Sequence, residues 1–260
     1  MNTIKKEKLV KELYEKYPYP SRKIISKDEL KYFAKWATSA LKKDDSFWKG
    51  KTVLELGCGT GELASAIALS GGKVMAIDFS KSSINHAKKL SKKLGTNKKI
   101  NFIEKNMLSI KEGEFGEKFD VVIALGSIHH TINPRKAFKI ACENTKKGGI
   151  IIVGLYNKYS RFRHRMKRVV LRVICGDNIE KRIVFGEKLF GANGEKIHSA
   201  DKYGQAHESY HSINEVLKWF NEKGISFLGS KPEFETPIID ELKWLMEKRN
   251  AFFVMSGKKT

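Results

Sequence analysis

The chain has 260 residues and a mass of 29.6 kDa, and 41% of its residues are hydrophobic. That is enough apolar side chain to bury a substantial core, which excludes wholesale disorder and predicts one domain, or at most two. Fifty Lys and Arg against 29 Asp and Glu give a formal net charge of +21. This excess favours an anionic partner such as nucleic acid or acidic lipid, although lysines dispersed over solvated helices give the same total.

The three cysteines, Cys58, Cys142 and Cys175, fit neither a CxxC metal pair nor a disulfide framework. Residues 1–17 carry charges every few positions and no apolar run as long as a signal peptide or membrane span requires. We therefore expect a cytoplasmic protein that is neither exported nor membrane-spanning.

Strands alternate with helices over the first part of the chain. Five short apolar runs predict strands at 51–56, 73–78, 100–105, 119–125 and 150–155. Helical patterns lie between them at 62–70, 80–94 and 134–146. This alternation predicts a doubly wound α/β fold with a mostly parallel sheet.

The pattern after residue 156 is looser. A basic, helical stretch and a polar loop lead to a helix over 212–223 that starts with a capping box, Ser212 with Glu215. Residues 225–228 and 251–256 predict two closing strands, with a helix over 239–248 between them. We expect seven strands and four parts: an N-terminal helical arm (1–49), a core (50–156), a basic helical lid insertion (157–211) and the C-terminal part of the sheet (212–260).

A glycine-rich turn joins the first predicted strand to the first core helix. In VLELGCGTGELA, residues 53–64, the glycines are Gly57, Gly59 and Gly61. Glycines there allow a tight turn and a close approach to a ligand, which implies a nucleotide-like cofactor. Glu62 stands where the dinucleotide fingerprint needs its third glycine, and no GKS or GKT of a phosphate loop follows.

The segment ELGCGTG resembles the first motif of the class I S-adenosylmethionine-dependent methyltransferases. The likeness covers residues 50–156 well and the two closing strands loosely. It implies a Rossmann-like methyltransferase fold and S-adenosyl-L-methionine as the cofactor. The three glycines would lie against the methionine part, and Glu55 would help to hold the loop and accept from the amino group through water. Thr60, Met107 and Leu125 would complete the contacts.

Asp78 lies at the carboxyl end of the second predicted strand. A carboxylate there is the simplest bidentate acceptor for the two hydroxyls of a ribose, whatever the family. By the resemblance, Phe79 would stack on adenine. Asn106 replaces an Asp that is common after the third strand, and its amide can still contact the adenine amine or a ring nitrogen.

Methyl transfer needs alignment, exclusion of water and the removal of one proton. His129 and His130 follow the fourth strand, where they should face the cleft, and an ordinary His pKa near 6.5 suits a base. Either one could instead be a structural residue bonded to backbone. The [DNS]PP[YF] motif of relatives that methylate exocyclic amines or glutamine amides is replaced by LGSIHHT, which disfavours those acceptors.

Two appendages are expected to shape the acceptor pocket. Residues 17–22, YPYPSR, form a rigid aromatic segment that either gates the cofactor, with Tyr19 or Tyr17 touching the acceptor, or packs outside the sheet. Residues 161–175 combine an apolar stripe with a stripe of arginines. That helix could pack its stripe on the core as a lid with a solvated basic face, lie in an anionic membrane surface, or offer arginines to RNA phosphates.

The polar loop contributes Asp201, His207, Tyr210 and His211 in an irregular spacing that is poor evidence for a metal site. We expect no metal and assign Tyr156, His207 and Tyr210 to the acceptor pocket. The sequence thus predicts a methyltransferase acting on a small or lipid-like acceptor, for example O- or C-methylation of a quinol-like ring. Methylation of RNA, for example tRNA, and a non-catalytic cofactor-binding module are the alternatives.

Overall fold

The computed structural model describes residues 3–23, 26–192 and 194–260. A seven-stranded sheet has the order β3-β2-β1-β4-β5-β7-β6. β7 runs antiparallel to both neighbours, and the other adjacent pairs are parallel. The strands are β1 Thr52–Leu56, β2 Lys73–Asp78, β3 Ile100–Glu104, β4 Phe119–Leu125, β5 Thr145–Tyr156, β6 Ile225–Lys231 and β7 Phe252–Lys259. The predicted doubly wound, mostly parallel sheet is confirmed.

Helices cover both faces of the sheet. Successive residues of a strand point to opposite faces, so Val53 packs in one buried cluster and Leu54 in the other. The helices are α1 Thr3–Lys16, α2 Lys27–Ala37, α3 Glu62–Leu69, α4 Lys81–Leu94, α5 Pro134–Glu143, α6 Phe162–Cys175, α7 Ile179–Phe190, α8 Lys196–Ser199, α9 Ile213–Glu222 and α10 Pro237–Met246.

Several boundaries differ from the prediction. Gly148 and Gly149 lie inside β5, where the pairing with β4 shifts register, because glycine tolerates the irregular backbone of a bulge. α5 therefore ends at Glu143, and β5 begins five residues earlier than expected. The predicted polar loop before residue 205 contains α8 and a π-helical turn, Ala200–Gly204.

The YPYP segment lies on the glycine loop and not outside the sheet. The carbonyl of Tyr19 accepts a hydrogen bond from the Thr60 N–H at 3.2 Å. The Ser21 N–H donates to Thr60 Oγ1 at 2.8 Å, and the Arg22 N–H donates to Glu62 at 3.0 Å. The backbone after α1 is therefore fastened to the loop that the sequence assigns to the cofactor.

The faces of helix α6 are reversed relative to the predicted lid, in which the apolar stripe packs on the core and the basic face is solvated. Arg161 and Arg168 turn inward to Glu208, whose side chain is 0% exposed, at 2.9 and 3.4 Å. Arg172 donates to the carbonyl of Ala206. The apolar stripe faces outward, with relative exposures from 39% to 81%: Phe162, Met166, Val169, Val170, Val173 and Ile174. A buried carboxylate requires cations beside it, and that requirement outweighs burial of the stripe.

Candidate active site

The glycine loop turns directly off β1 and is held by β2. The N–H groups of Gly57 and Cys58 donate to the carbonyl of Ile77 at 2.7 and 2.9 Å, and the Gly59 N–H donates to Asp78 Oδ2 at 2.9 Å. Gly57 and Gly59 have φ of +80° and +51°. A Cβ would stand 2.3 Å from Ser127 Cβ at position 57 and 2.3 Å from the Tyr19 carbonyl oxygen at position 59. These two positions thus need glycine.

A cavity of about 450 Å³ opens at the carboxyl edge of the sheet, between this loop and α1. The structure brings most of the residues predicted from the sequence together in its wall: Tyr19, Glu55, Gly57, Gly59, Asp78, Phe79, Asn106, Met107, Leu125, His130 and Tyr156. We refer to it as the loop cavity.

The loop cavity is acidic although the protein is strongly cationic. Five carboxylic side chains line it, and its lysine and arginine residues are Arg22 and Lys105. The acids are Glu7, Glu55, Glu62, Asp78 and Asp201. Glu55 is 4% exposed, and its Oε2 has no hydrogen-bond partner among the described residues. Burial, with the charges of Glu62 and Asp78, raises the pKa of Glu55 well above its usual range.

Asp78 combines burial with two backbone hydrogen bonds. Its Oδ1 accepts from the Ser80 N–H and its Oδ2 from the Gly59 N–H, both at 2.9 Å. Burial raises the pKa of Asp78 to about 6, although the backbone donors oppose the shift. Each carboxylate oxygen can accept more than one hydrogen bond, so both can still accept from a diol in the cavity.

His130 lines the cavity, and its Nδ1 lies 3.3 Å from the carbonyl oxygen of His207. A carbonyl only accepts hydrogen bonds, so Nδ1 carries the proton and Nε2 keeps its lone pair. Burial lowers the pKa of His130 below its ordinary value, partly offset by Asp201 and Glu208. The imidazole is therefore neutral near pH 7 and can accept a proton.

A family model described as a methyltransferase domain matches residues 48–224. That match covers more than half of the chain, including the glycine loop and the β4 edge. The chain belongs to the class I S-adenosylmethionine-dependent methyltransferase family.

Individual relatives agree with this assignment. The methyltransferase is 29% identical over 184 residues to a ubiquinone biosynthesis O-methyltransferase of Rickettsia prowazekii (strain Madrid E), covering 70% of this chain and 65%, just under two thirds, of that protein. A protein of the same description from Rickettsia canadensis (strain McKiel) is 27% identical over 195 residues, covering 75% and 74%.

The fold is similar to that of magnesium protoporphyrin IX methyltransferase from Synechocystis PCC 6803, solved with bound S-adenosylhomocysteine. The TM-score is 0.59 at 14% identity, covering 99% of each chain. The likeness at this identity shows a shared fold.

The loop cavity suits S-adenosylmethionine, which is the cofactor of this family. This cofactor carries an ammonium, a sulfonium and one carboxylate, so it is cationic overall and suits an acidic wall. The unpaired Oε2 of buried Glu55 can accept a hydrogen bond from the ammonium. Asp78 offers two oxygens to a ribose, and Phe79 lines the wall beside it. The residues of this chain therefore fit the cofactor, with one difference in role: Asp78, and not Glu55, holds the glycine loop by a hydrogen bond.

Three predicted residues are structural parts of the loop and arm and do not line the cavity. Thr60 is 2% exposed and its hydroxyl donates to Glu62. Gly61 packs on α4, where a Cβ would stand 2.7 Å from the Cβ of Ala87. Tyr17 donates its hydroxyl hydrogen to Glu180 at 3.0 Å, which ties α1 to α7.

His129, His207 and Tyr210 also lie outside the cavity wall. His129 is 0% exposed, and both ring nitrogens lack a hydrogen-bond partner among the described residues. Burial lowers the pKa of His129 well below its ordinary value. His207 contributes its carbonyl to His130, and Tyr210 lies 5.0 Å from the guanidinium of Arg165. Of the two histidines predicted as a base, His130 is the one that lines the cavity.

The polar loop was expected to line the pocket, and Asp201 does so, but its network with Tyr14 and Gln205 opposite the glycine loop was not predicted. Tyr14 donates its hydroxyl hydrogen to Asp201 at 3.1 Å, and the Gln205 side chain donates to both. Tyr14 and Asp201 line the cavity, and burial raises the pKa of Tyr14 well above its usual value. These residues are 187 positions apart, so no local pattern could have joined them.

Asn106 has a partner that the sequence did not indicate. Its Oδ1 accepts from the Leu108 N–H at 2.9 Å and caps the turn Met107–Ser109, while its Nδ2 donates to Glu7. Within the described ranges, no group of three His, Cys, Asp or Glu side chains is placed to hold a metal ion. No helix in the same ranges is long and apolar enough to cross a membrane.

Proposed function

We propose that this methyltransferase transfers a methyl group to a hydroxyl oxygen of a small or lipid-like ring, such as a quinol. The placement of His130 carries the proposal: it lines the cavity that fits the cofactor, and its Nδ1 lies beside a carbonyl oxygen, which leaves the lone pair on Nε2. The relatives described as ubiquinone biosynthesis O-methyltransferases support the same acceptor class.

Each group has a defined task. When bound, S-adenosylmethionine supplies a methyl group already activated by a positively charged sulfur. His130 accepts the proton of the acceptor hydroxyl at Nε2, which makes the oxygen nucleophilic. Tyr19 and Tyr156 bound the cavity on the acceptor side and exclude water. Asp78 and the glycine loop hold the cofactor in register with them.

The test compares the two adjacent histidines. His130→Gln is expected to lower the rate of methyl transfer from S-adenosylmethionine to catechol by about 100-fold or more, with unchanged affinity for S-adenosylhomocysteine. His129→Gln, at the neighbouring buried position, is the matched control and should retain most of the rate once thermal unfolding shows that it is folded. An unchanged rate in His130→Gln would refute the assigned base.

We also propose an anionic membrane surface as the partner of α6. Its exposed apolar stripe contains no acidic residue and is bordered by Arg163, Arg165 and Lys167, the pattern of a helix lying in the headgroup region of an anionic bilayer. Exposed Val184, Phe185 and Leu189 of α7 add to the apolar surface. A reducing, cytoplasmic setting remains the prediction, and Cys58, Cys142 and Cys175 are free and buried.

Vesicle sedimentation tests this surface. Val169→Asp with Val173→Asp should abolish binding to vesicles of phosphatidylcholine and phosphatidylglycerol. Ile238→Asp with Leu242→Asp, an equally spaced and exposed pair on α10, should leave it unchanged. Absence of vesicle binding by the parent would contradict the proposal. Binding of mixed tRNA with a steep dependence on salt would favour RNA as the partner instead.

A further inference from the structure

A second cavity adjoins the loop cavity and has the opposite charge. It also measures about 450 Å³ and shares Tyr19, Tyr156 and Asp201 with its neighbour. Five lysine and arginine side chains line it against one carboxylate, Asp201: Arg161, Arg163, Lys167, Lys202 and Lys248. We refer to it as the basic cavity.

The cations of the basic cavity are largely uncompensated. Arg161 pairs with Glu208 at 2.9 Å and stacks on the Tyr156 ring, with its guanidinium carbon 3.4 Å from the ring centre. The other four form no ion pair with any acid in the part of the chain that the structure describes. Like charges gathered without counter-ions disfavour the fold unless an anion joins them.

Unpaired hydrogen-bonding groups point to the same requirement. Arg161 Nε and Ser160 Oγ are buried and have no partner among the described residues. Both precede α6, so the positive end of a 14-residue helix faces this side of the cavity. Orphaned buried donors beside a helix start and free cations form a site for a carboxylate or phosphate group.

We propose that the methyl acceptor carries an anionic substituent, a carboxylate or a phosphate, which the basic cavity holds while the ring lies at Tyr156. This rests on the proposed function and adds a substrate class to it. The two cavities are adjacent, because Tyr19, Tyr156 and Asp201 border both of them. One ligand can therefore occupy both. The acidic cavity takes the cationic cofactor, and the basic cavity fixes the acceptor by its charge.

Calorimetric titration of the protein saturated with S-adenosylhomocysteine tests the proposal without requiring turnover. Phenyl phosphate or benzoate should bind about tenfold or more tightly than benzamide, the neutral analogue of benzoate. Preference for phenyl phosphate identifies a phosphate-bearing acceptor, and equal or tighter binding of benzoate a carboxylate-bearing one. No preference over benzamide would overturn the proposal.

Matched triple variants locate the binding. Arg163→Gln with Lys167→Gln and Lys202→Gln should abolish the preference for the anion. Lys88→Gln with Lys89→Gln and Lys92→Gln removes the same charge from the surface of α4 and should retain it. Preference that survives the first variant, or is lost equally in both, would overturn the site. Binding of S-adenosylhomocysteine is measured in parallel, so failure of the cofactor cavity is seen separately.

Discussion

Asp78 holds the glycine loop, and we propose that the same carboxylate binds the ribose of the cofactor. Its two oxygens already accept from the N–H groups of Gly59 and Ser80, which fixes the side chain before any ligand arrives. A carboxylate fixed in this way loses little conformational entropy when a diol binds. Replacing Asp78 therefore affects both the shape of the loop and the hydrogen bonds to ribose.

The raised pKa of Asp78 predicts how cofactor binding depends on pH. The ionised form accepts from both ribose hydroxyls, and protonation at a pKa of about 6 removes that capacity. Affinity for S-adenosylhomocysteine should therefore be lost as pH falls through 6, by about tenfold between pH 7 and pH 5. Calorimetry across this range measures it. In Asp78→Asn the affinity should be weaker and should lack this pH step; a step of the same size would assign it to another group.

The sequence predicted the residues of the cavity wall unevenly. Gly57, Gly59 and Asp78 were predictable because their chemistry follows from their position at strand ends. Thr60 and Tyr17 lie beside such residues in the chain, but their side chains turn to Glu62 and Glu180. Chain position constrains where a residue lies and leaves the direction of its side chain to partners distant in sequence.

At the level of elements, the contact between the YPYP segment and the glycine loop can be tested by comparing alanine substitutions at two glycines, one at the contact and one away from it. Gly59→Ala places a Cβ 2.3 Å from the Tyr19 carbonyl oxygen at a φ of +51°, whereas Gly95→Ala meets nothing within 4 Å at +71°. Both substitutions lose about 1 kcal/mol of stability because alanine disfavours a positive φ. Gly59→Ala should lose roughly a further 1–3 kcal/mol of stability and should also bind S-adenosylhomocysteine more weakly.

Chemical unfolding and calorimetry of these two variants measure the difference. Equal losses of stability with equal cofactor affinity would show that the segment does not rest on the loop.

Helix α6 shows what an amphipathic pattern leaves open. The sequence placed the apolar and basic stripes on the correct residues, but it did not settle which stripe faces the protein. The decision comes from Glu208, 33 positions after the end of α6, because its buried carboxylate attracts Arg161 and Arg168. Burial acts to raise the pKa of Glu208, but these arginines outweigh it and hold the pKa at about 2.

Glu208→Gln should destabilise the protein by about 3–5 kcal/mol, because it leaves two inward arginines without a counter-charge. The lowered pKa of Glu208 also fixes the direction of the pH dependence of stability. The carboxylate contributes stability above its ordinary pKa of 4.5, and that contribution is lost as pH falls toward 2. Urea unfolding at pH 7 and at low pH checks both. A difference between parent and variant that did not shrink on acidification would contradict this account.

At the scale of the whole molecule, charge is sorted between neighbouring cavities. A net charge of +21 gives no hint that the loop cavity is acidic. The sheet was predictable because its strands are periodic and bounded by local turn signals. The contribution of α1 to the loop cavity was not predictable, since α1 and the turn at Asp201 meet only in the folded chain.

We propose that the loop cavity binds S-adenosylmethionine and that Asp78 contacts its ribose. Calorimetric titration of S-adenosylhomocysteine at pH 7.5 into the parent, Asp78→Ala and the exposed control Asp28→Ala tests it most directly. We expect one site in the parent and the control, and an affinity lower by about 3 kcal/mol, or roughly 150-fold, in Asp78→Ala. Equal affinity in all three proteins, or no binding by the parent, would contradict it.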